Sequence, residues 1–454
     1  MKGLALWLLV FTAGAAHAQV AAGQWHLSGD PQLYRVEVAG GAELRGAAIT
    51  LQGTGSERGS GAASRVIDAA TYRNSVLTLS ARVTADEVSG GAGIWLRASA
   101  DGRPPAFANS QRQPVRGTAA DVERQISIVV PRDATRISFG PLLNGSGRTT
   151  VTGWVLDSRP CSANPAVTPE RVLAAAVDAV KRSALNAGRV DWVTVEPKAR
   201  AMLGDSTCPE AAYPAVRMVL AALGDRHSRL LEPAARREMV STATATSEPA
   251  ITVSDNVGYV LLPGFRGAEG GAATALARGV RERLGALAPE ARCGWVVDLR
   301  RNSGGNVFPM LAALKPLLGD GELGVYEDRN GRRQPWHASG PALARNEDQS
   351  SRAVAVLLGP RTASSGEAIA IAFRGRADTR SFGLPTAGLS TGNGIVDLPD
   401  GSRIMLTEGV AIDRRGQRYG GVVTPDTTVD GAADADSALQ AARRWLDAQC
   451  VEAP

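Results

Sequence analysis

One segment of this sequence that could take part in catalysis is a glycine pair that follows a hydrophobic stretch. The stretch is Trp295–Leu299, and the pair is Gly304-Gly305. Adjacent glycines let the backbone turn sharply and direct N–H groups into a cleft, which is what an oxyanion hole requires. A turn without chemistry needs the same residues, and a phosphate-binding loop would need a lysine that this segment lacks. The pair therefore predicts either an oxyanion-binding loop or a plain turn.

A candidate nucleophile lies in the segment Thr362–Glu367, between a predicted strand ending near Leu358 and a predicted helix from about Gly366 to Phe373. A serine at such a turn is exposed, and the positive end of the helix dipole favours developing negative charge. Ser-x-x-Glu is also the pattern of a capping box, in which the serine only starts the helix. On local grounds both interpretations of Ser364 stay open.

The candidate general base is a histidine. Three histidines follow residue 18, and they are His26, His227 and His337. His26 falls in a region with a strand-like pattern, and an isolated histidine is more often structural than catalytic. His227 follows a predicted helix that stops at Gly224, so we expect it just past a helix C-terminus. No local geometry connects His227 to Ser364.

Taken in chain order, these segments resemble the tail-specific (C-terminal processing) serine peptidases, including their tricorn core branch. The resemblance covers roughly residues 165–430 and depends on five motifs that occur in the family order. The motifs are Leu223–Ser228, Val257–Val260, Asp298–Arg300 with Asn302 and Gly304-Gly305, Ala363–Glu367, and Gly421–Asp426. Five ordered motifs are far more specific than any one of them.

The resemblance implies a serine peptidase with a crotonase-like core of ββα units. The family nucleophile stands three residues before the glutamate of its motif, which implies Ser364 here. The implied oxyanion donors are the N–H of Ser365 and one N–H from the Gly304-Gly305 loop. One branch of the family uses a lysine base, but the matching position is Leu389 and no lysine follows Lys315.

The other branch takes its base from a GxHS-like motif, which implies His227. An unperturbed histidine has a pKa of about 6.5 and suits catalysis near neutral pH. The tricorn-like branch orients this histidine with an acid near the end of the domain, where this chain reads Tyr419-Gly420-Gly421 without a glutamate. Glu367, Glu408 and Asp225 are the alternatives. We include Glu367 in the candidate catalytic set, with helix capping as its other interpretation.

The chain is expected to divide into five parts. In order they are a signal peptide (1–18), an all-β jelly-roll sandwich (19–160), the helical N-terminal part of the peptidase region (161–245), an α/β crotonase-like peptidase core (246–432) and a C-terminal helix (433–454). Alternating apolar residues from Leu77 to Val83 predict the strands of the second part. The residues between Pro233 and Val257 are too few for the PDZ domain that many relatives insert.

Composition excludes several classes of protein. Of 454 residues, 44% are hydrophobic and 21% are charged, as in globular proteins. The net charge of +5 is small for this length and lacks clustered basic runs, so nucleic-acid binding is not expected. After residue 18 no apolar run is long enough to cross a membrane. Lys2, a short apolar stretch and Ala16-His17-Ala18 predict cleavage before Gln19 and a periplasmic or secreted protein.

Four cysteines are expected to matter in an exported protein. Cys161, Cys208, Cys293 and Cys450 allow three pairings, which the sequence does not distinguish. A Cys161–Cys450 bond would close a long loop and favour the folded state. The chain has no CxxC motif and no paired-histidine spacing, so neither a metal site nor another cofactor is expected.

The sequence thus predicts an exported serine peptidase that cleaves peptides or unfolded proteins. The alternative is a catalytically inactive peptide- or glycan-binding protein on the same scaffold, and a hydrolase of esters or cell-wall material would use the same nucleophile. The all-β region resembles modules that bind glycans or proteins through exposed aromatics, although Trp95 and Trp154 are expected in the core. The polar stretch Glu327–Asp348, which contains His337, is a candidate flap over a cleft.

Overall fold

The structure, a computed structural model, describes residues 24–450 apart from several short segments. Those segments are 41–43, 55–58, 102–104, 112, 162–163, 165, 234–247, 268–269, 341–342, 344–346 and 430–434. The predicted signal peptide lies outside the described residues. The chain divides into two compact units. The first unit consists of the residues up to Pro169 together with Leu203–Ala211. The second consists of Glu170–Met202 together with the residues from Ala212 onward.

The first unit is all-β, and its nine described strands belong to one hydrogen-bonded sheet. The strands are β1 (Trp25–Ser28), β2 (Tyr34–Ala39), β3 (Ala48–Gly53), β4 (Ser60–Asp68), β5 (Ser75–Ser99), β6 (Ala106–Asn109), β7 (Val115–Val130), β8 (Arg136–Asn144) and β9 (Gly147–Pro160). Their order is β1-β4-β8-β5-β9-β3-β2, with β6 and β7 paired to β5. The two ends of this path, β1 and β2, contact each other, so the sheet is nearly closed.

Alternation of apolar and polar residues builds this sheet around an interior core. In β5, Leu77 and Val83 are fully buried, and the residues between them alternate in exposure. Trp154 is fully buried as expected, with its ring centroid 6.2 Å from that of Phe139, whereas Trp95 is only half-buried. The all-β prediction is confirmed. The finer assignment of a two-sheet jelly roll stays a prediction.

Two disulfide bonds join the four cysteines. Cys161–Cys208 lies within the first unit, with a Cα–Cα distance of 4.6 Å, and fastens the segment Leu203–Ala211 to the end of β9. Cys293–Cys450 lies within the second unit, with a Cα–Cα distance of 4.1 Å. The Cys161–Cys450 pairing considered from the sequence is wrong, because each of these cysteines lies beside another partner.

Apart from Pro169, which starts the first of them, the described α-helices belong to the second unit. Those described are α1 (Pro169–Ser183), α2 (Trp192–Ala201), α3 (Tyr213–Ala222), α4 (Gly271–Leu287), α5 (Val307–Ala313), α6 (Lys315–Leu318), α7 (Ser365–Phe373) and α8 (Ala435–Asp447). As the sequence predicts, α1 begins with the proline that follows Thr168. Within the described ranges, no helix is both long and apolar enough to cross a membrane.

The strands of the second unit form two sheets. They are β10 (Arg229–Leu231), β11 (Ala250–Ser254), β12 (Val257–Leu261), β13 (Gly294–Asp298), β14 (Glu322–Asp328), β15 (Arg333–His337), β16 (Val354–Leu358), β17 (Thr379–Gly383), β18 (Thr391–Asp397), β19 (Arg403–Asp413) and β20 (Thr427–Thr428). One sheet has the order β11-β12-β13-β16-β17-β20, and the other has β10-β19-β14-β15 with β18 beside β19.

The six-stranded sheet carries the loops that contain Gly304-Gly305 and Ser364. Its strands from β12 to β20 are parallel, and β13 and β16 are neighbours. Every residue of β13 and β16 is buried, as expected for strands covered on both faces. Because parallel neighbours end at the same edge, the loops that follow β13 and β16 emerge side by side.

The stretch proposed as a flap contains ordered structure that the sequence pattern did not predict. Within it, Arg333–His337 is strand β15 and pairs with β14. Trp336 is buried against Tyr326, with ring centroids 4.4 Å apart. His337 is exposed, and its Nδ1 lies 3.1 Å from the carbonyl oxygen of Gly321. The sequence does not predict this strand, because a single buried tryptophan among polar residues has no period-two pattern.

Candidate active site

The loops after β13 and β16 are tied together by backbone and side-chain hydrogen bonds. Ala363 N–H donates to the carbonyl oxygen of Asn302 at 3.0 Å. The buried Thr362 hydroxyl donates to the carbonyl oxygen of Leu299 at 2.8 Å. These bonds hold the glycine-rich segment of one loop against the serine-containing segment of the other.

Asn302 and the glycine pair shape the first loop. The Asn302 side chain is fully buried, and it donates to the carbonyl oxygen of Leu262 while it accepts the Gly304 N–H at 3.0 Å. Gly304 has φ +99°, and a Cβ on it would stand 2.9 Å from the Cβ of Ser364. A side chain there would therefore strain the backbone and push against the candidate nucleophile.

Ser364 occupies a strained position just before α7. Its φ is 52° and its ψ is −118°, a conformation that residues with a side chain rarely adopt. Its N–H donates to Glu367 Oε2 at 2.8 Å. The side chain therefore leaves a sharp strand-to-helix turn at the positive end of a helix.

His227 is carried by the turn that follows α3. Asp225 shapes this turn, because its Oδ1 accepts the N–H of His227 at 2.9 Å and that of Ser228 at 2.6 Å. The imidazole Nε2 lies 2.9 Å from the Ser364 Oγ. Thus the structure brings together two side chains from distant parts of the sequence.

The second ring nitrogen of His227 faces a hydroxyl. Nδ1 lies 2.8 Å from the Oγ1 of Thr391, the first residue of β18. With the proton on Nδ1, the ring donates to Thr391 and leaves Nε2 free to accept from Ser364. Sequence reasoning missed Thr391, since nothing local distinguishes it from other threonines.

Burial keeps the His227 imidazole neutral. The residue is 5% exposed, and burial is the main reason that its pKa falls from the usual 6.5 to about 4. The positive charge of Arg229 lowers the pKa further, and the negative charge of Asp225 opposes both effects. At neutral pH the ring can therefore accept a proton.

The candidate acids are engaged elsewhere. Glu367 is fully buried, and besides the Ser364 N–H its carboxylate accepts the Thr386 hydroxyl and the N–H groups of Gly388 and Leu389. Burial raises its pKa and these hydrogen bonds oppose the rise. None of its described hydrogen bonds involves the His227 ring. Glu367 instead braces the backbone around Ser364.

Neither remaining acid contacts the ring among the described hydrogen bonds. Asp225 is occupied by the backbone of its own turn and by the Ser228 hydroxyl. The Glu408 carboxylate packs against Gly394 of β18, where a Cβ would come within 2.1 Å of Glu408 Oε2.

The two loops also contain backbone N–H groups that differ in their hydrogen bonding. Within the described part of the chain, the N–H groups of Gly305 and Ser365 form no hydrogen bond. The Ser365 hydroxyl donates to the carbonyl oxygen of Gly305 and so joins the two segments. By contrast, the Gly304 N–H is already bound to Asn302. Of the three residues singled out from the sequence, Gly305 and Ser365 thus have N–H groups without a partner among the described residues.

A serine hydroxyl beside a neutral imidazole, a helix N-terminus and unpartnered N–H groups is an arrangement of the serine-type hydrolases. The family comparison gives the same class. Residues 256–429 match the model of peptidase family S41, and this chain accordingly carries an S41 domain, a serine-type peptidase domain. The predicted relationship to the C-terminal processing peptidases is confirmed.

Curated relatives match parts of the chain. The nisin-resistance protein of Lactococcus lactis subsp. lactis is 32% identical over 166 residues, which are 34% of this chain and 50% of that protein. The chloroplastic C-terminal processing peptidase of Tetradesmus obliquus is 29% identical over 198 residues, 42% of this chain and 39% of that protein. The matched region therefore spans half or less of each of these relatives.

A solved structure, described as a lipoprotein from Streptococcus agalactiae, shares the fold. Its TM-score is 0.54 at 23% sequence identity, and the match covers 64% of this chain and 99% of that one. At this identity the likeness is evidence for the fold alone.

Proposed function

We propose that this protein is a serine peptidase in which Ser364 is the nucleophile and His227 is the general base. The observation that carries the proposal is the 2.9 Å approach of the His227 Nε2 to the Ser364 Oγ, at a strained turn before a helix. A depressed imidazole pKa supports it, because the base is then unprotonated at neutral pH.

The proposed reaction is acyl transfer. His227 Nε2 takes the hydroxyl proton as Ser364 Oγ attacks the peptide carbonyl carbon, and the N–H groups of Gly305 and Ser365 receive the oxyanion. The imidazolium then gives this proton to the departing amine, and the C–N bond breaks. Water, deprotonated by the same imidazole, hydrolyses the acyl-enzyme and restores Ser364.

Thr391 and Glu367 are proposed as positioning residues. The Thr391 hydroxyl accepts the Nδ1 proton and so favours the tautomer in which Nε2 is the base. Glu367 fixes the backbone of Ser364 and the neighbouring segment from Thr386 to Leu389. Because Glu367 acts through the backbone, it is removed from the catalytic set.

Peptides or unfolded proteins are the proposed substrates, and an oxidising compartment is the proposed location. The S41 domain supports the substrate class. Two disulfide bonds support export, since such bonds persist mainly outside the reducing cytosol. We also propose the crotonase-like arrangement for the second unit, supported by the loop-and-helix units that follow β13 and β16.

The test is covalent labelling with a fluorophosphonate probe, with the adduct mapped by mass spectrometry. We expect an adduct on Ser364 that is lost in Ser364→Ala and strongly reduced in His227→Ala. The matched control is Ser351→Ala, which removes an exposed hydroxyl and should label like the wild type. An adduct on another serine, or none on the folded wild type, would refute the assignment.

Peptide turnover is measured separately. The wild-type protein should release fluorescence from labelled casein, and Ser364→Ala should not. Hydrolysis of simple esters without any peptide cleavage would contradict the peptidase proposal while leaving the nucleophile in place.

A further inference from the structure

Strand β18 contacts both the ring and the backbone of His227. The Oγ1 of Thr391 lies 2.8 Å from the ring Nδ1. Two residues further along the strand, the side-chain Nδ2 of Asn393 donates to the His227 carbonyl oxygen at 3.3 Å. Side chains two residues apart on a strand lie on the same face, so one face of β18 holds the candidate base at two points.

A buried hydroxyl orients the amide of Asn393. Thr407 is buried in β19, directly opposite Asn393 in the ladder, and its Oγ1 lies 3.2 Å from the Asn393 Oδ1. Since a carbonyl oxygen can only accept, the amide nitrogen must face His227, and Oδ1 is left to accept the Thr407 hydroxyl. Both ends of the amide are therefore engaged.

Strand β19 also holds the other side of the turn that carries the histidine. The Thr407 N–H donates to the Ser228 Oγ at 3.0 Å, and that hydroxyl donates to the Asp225 Oδ2 at 2.8 Å. The register between β18 and β19 passes over Glu408, which is a β-bulge. Bulges change the direction of side chains next to them, and this one brings Thr407 opposite Asn393.

The core lies behind β18 at the point of contact. Gly392 is buried between the two residues that hold His227. A Cβ on Gly392 would lie 2.6 Å from the Cδ1 of Tyr326, whose ring packs on that of Trp336 with centroids 4.4 Å apart. The strand therefore lies directly against an aromatic ring, which limits its movement away from the histidine.

We propose that Asn393 is a positioning residue for the general base, and that it fixes the backbone at His227 while Thr391 fixes the ring. This inference rests on the proposed peptidase function. The Nε2 acts as a base only while it stays within hydrogen-bond distance of the Ser364 Oγ. Without Asn393, the peptide group that follows His227 is free to shift and the imidazole shifts with it. A misplacement of about 1 Å lowers a rate by roughly a hundredfold at most sensitive positions.

The first experiment compares two asparagines that form the same kind of bond. Asn186 donates from Nδ2 to the carbonyl oxygen of Leu223 at 3.2 Å, four residues before His227, and it is half-buried like Asn393. Steady-state kinetics on a labelled peptide should show kcat reduced roughly five- to tenfold in Asn393→Ala, with KM within about twofold of the wild type. Asn186→Ala is the matched control and should keep both constants.

Urea unfolding of the same two variants separates positioning from stability. Both should lose a similar amount of stability, because each loses one half-buried amide-to-carbonyl bond. An unchanged kcat in Asn393→Ala would overturn the proposal, and so would equal losses of kcat in Asn393→Ala and Asn186→Ala.

A second variant keeps the asparagine and removes the group that orients it. Thr407→Val preserves the shape of the buried side chain but lacks the hydroxyl bound to Asn393. Its kcat should fall roughly two- to fivefold at an unchanged KM, which tests the proposal even if Asn393→Ala does not fold. Because the proposal requires an oriented amide, an undiminished kcat in this variant would overturn it.

The double variant Thr391→Val/Asn393→Ala shows whether the two side chains act on the same imidazole. Its loss of kcat should be smaller than the product of the two single losses, since a ring released at one end gains little from release at the other. A loss equal to the product would overturn the shared role. Fluorophosphonate labelling of the wild type distinguishes these outcomes from failure of the peptidase proposal. A labelled Ser364 with an unaffected Asn393→Ala variant refutes the positioning role alone.

Discussion

The Nδ1 of His227 and the Oγ1 of Thr391 are 2.8 Å apart. A hydroxyl is therefore the hydrogen-bond partner of the candidate base, at the position where many serine hydrolases have a carboxylate. A hydroxyl accepts the ring proton and orients the imidazole, but it brings no negative charge to stabilise an imidazolium. This absence agrees with the depressed pKa of His227.

Removing the Thr391 hydroxyl should slow catalysis moderately. Thr391→Val keeps the shape of the side chain and removes the acceptor of the Nδ1 proton. Since one such hydrogen bond contributes about 1 kcal/mol, kcat/KM should fall roughly five- to tenfold. Steady-state kinetics on a peptide substrate provide the measurement. Thr391→Ser should restore most of the loss, and a Val variant with unimpaired kcat/KM would exclude the positioning role.

Activity should persist to acidic pH. The acid limb of kcat/KM reports the base of the free enzyme, so its midpoint is expected near pH 4 instead of near 6.5. Arg229→Gln removes a positive charge that lowers this pKa, so its acid limb should move to higher pH. The profile is measured with the same uncharged peptide substrate for both proteins. A limb unmoved in the variant would refute the coupling.

The same shift affects stability in a defined direction. The unfolded chain binds a proton at His227 below about pH 6.5, whereas the folded protein does so only near pH 4. Stability contributed by this residue is therefore lost as the pH falls through that interval. Urea unfolding of the wild type and His227→Gln at several pH values measures the difference. Parallel pH dependences of the two proteins would contradict this assignment.

Strain at Ser364 predicts different stabilities for two inactive variants. Both Ser364→Ala and Ser364→Gly remove the proposed nucleophile and should abolish turnover. Only glycine adopts φ 52° without strain, so Ser364→Gly should be more stable than Ser364→Ala by about 1 kcal/mol. Urea unfolding tests the pair, and a more stable alanine variant would argue against the strain.

Gly304→Ala should damage both the fold and the site. Its Cβ would lie 2.9 Å from the Cβ of Ser364, at a backbone angle that disfavours a side chain. We expect a loss of about 1–3 kcal/mol in the free energy of unfolding, together with a large fall in kcat. The control is Gly279→Ala in α4, where nothing lies within 4 Å and alanine favours the helix. Equal stabilities of the two variants would contradict the close approach.

Glu367→Gln should weaken the site without changing its titration. In the variant, the amide NH₂ group cannot accept the hydrogen bonds that the carboxylate now accepts from backbone N–H groups. We expect the free energy of unfolding to fall by about 1–3 kcal/mol and kcat to decrease. The acid-limb pKa should stay near its wild-type value, since the carboxylate does not contact His227. A shifted acid limb at unchanged stability would instead indicate a direct catalytic role.

The sequence alone predicts those features of the structure whose physical cause lies within a few neighbouring residues. Alternation in β5, the proline at the start of α1 and the glycine pair after β13 all act over a few residues, and the sequence predicts each of them. The order of the five motifs also indicates the family, and it selects Ser364 and His227 as candidates. The absence of a lysine after Lys315 excluded a lysine base by counting alone.

Only the tertiary structure shows the features that depend on contacts between residues far apart in the sequence. Thr391 reaches His227 only because β18 pairs with β19, and Glu367 could be recognised as a brace only from the N–H groups that surround it. Pairing of the cysteines likewise follows from which strand ends and helices pack together, and spacing along the chain carries no information about it. The sequence determined which side chains could react. The fold determined which of them are neighbours, because hydrogen-bond partners are selected by distance in space and not by position in the chain.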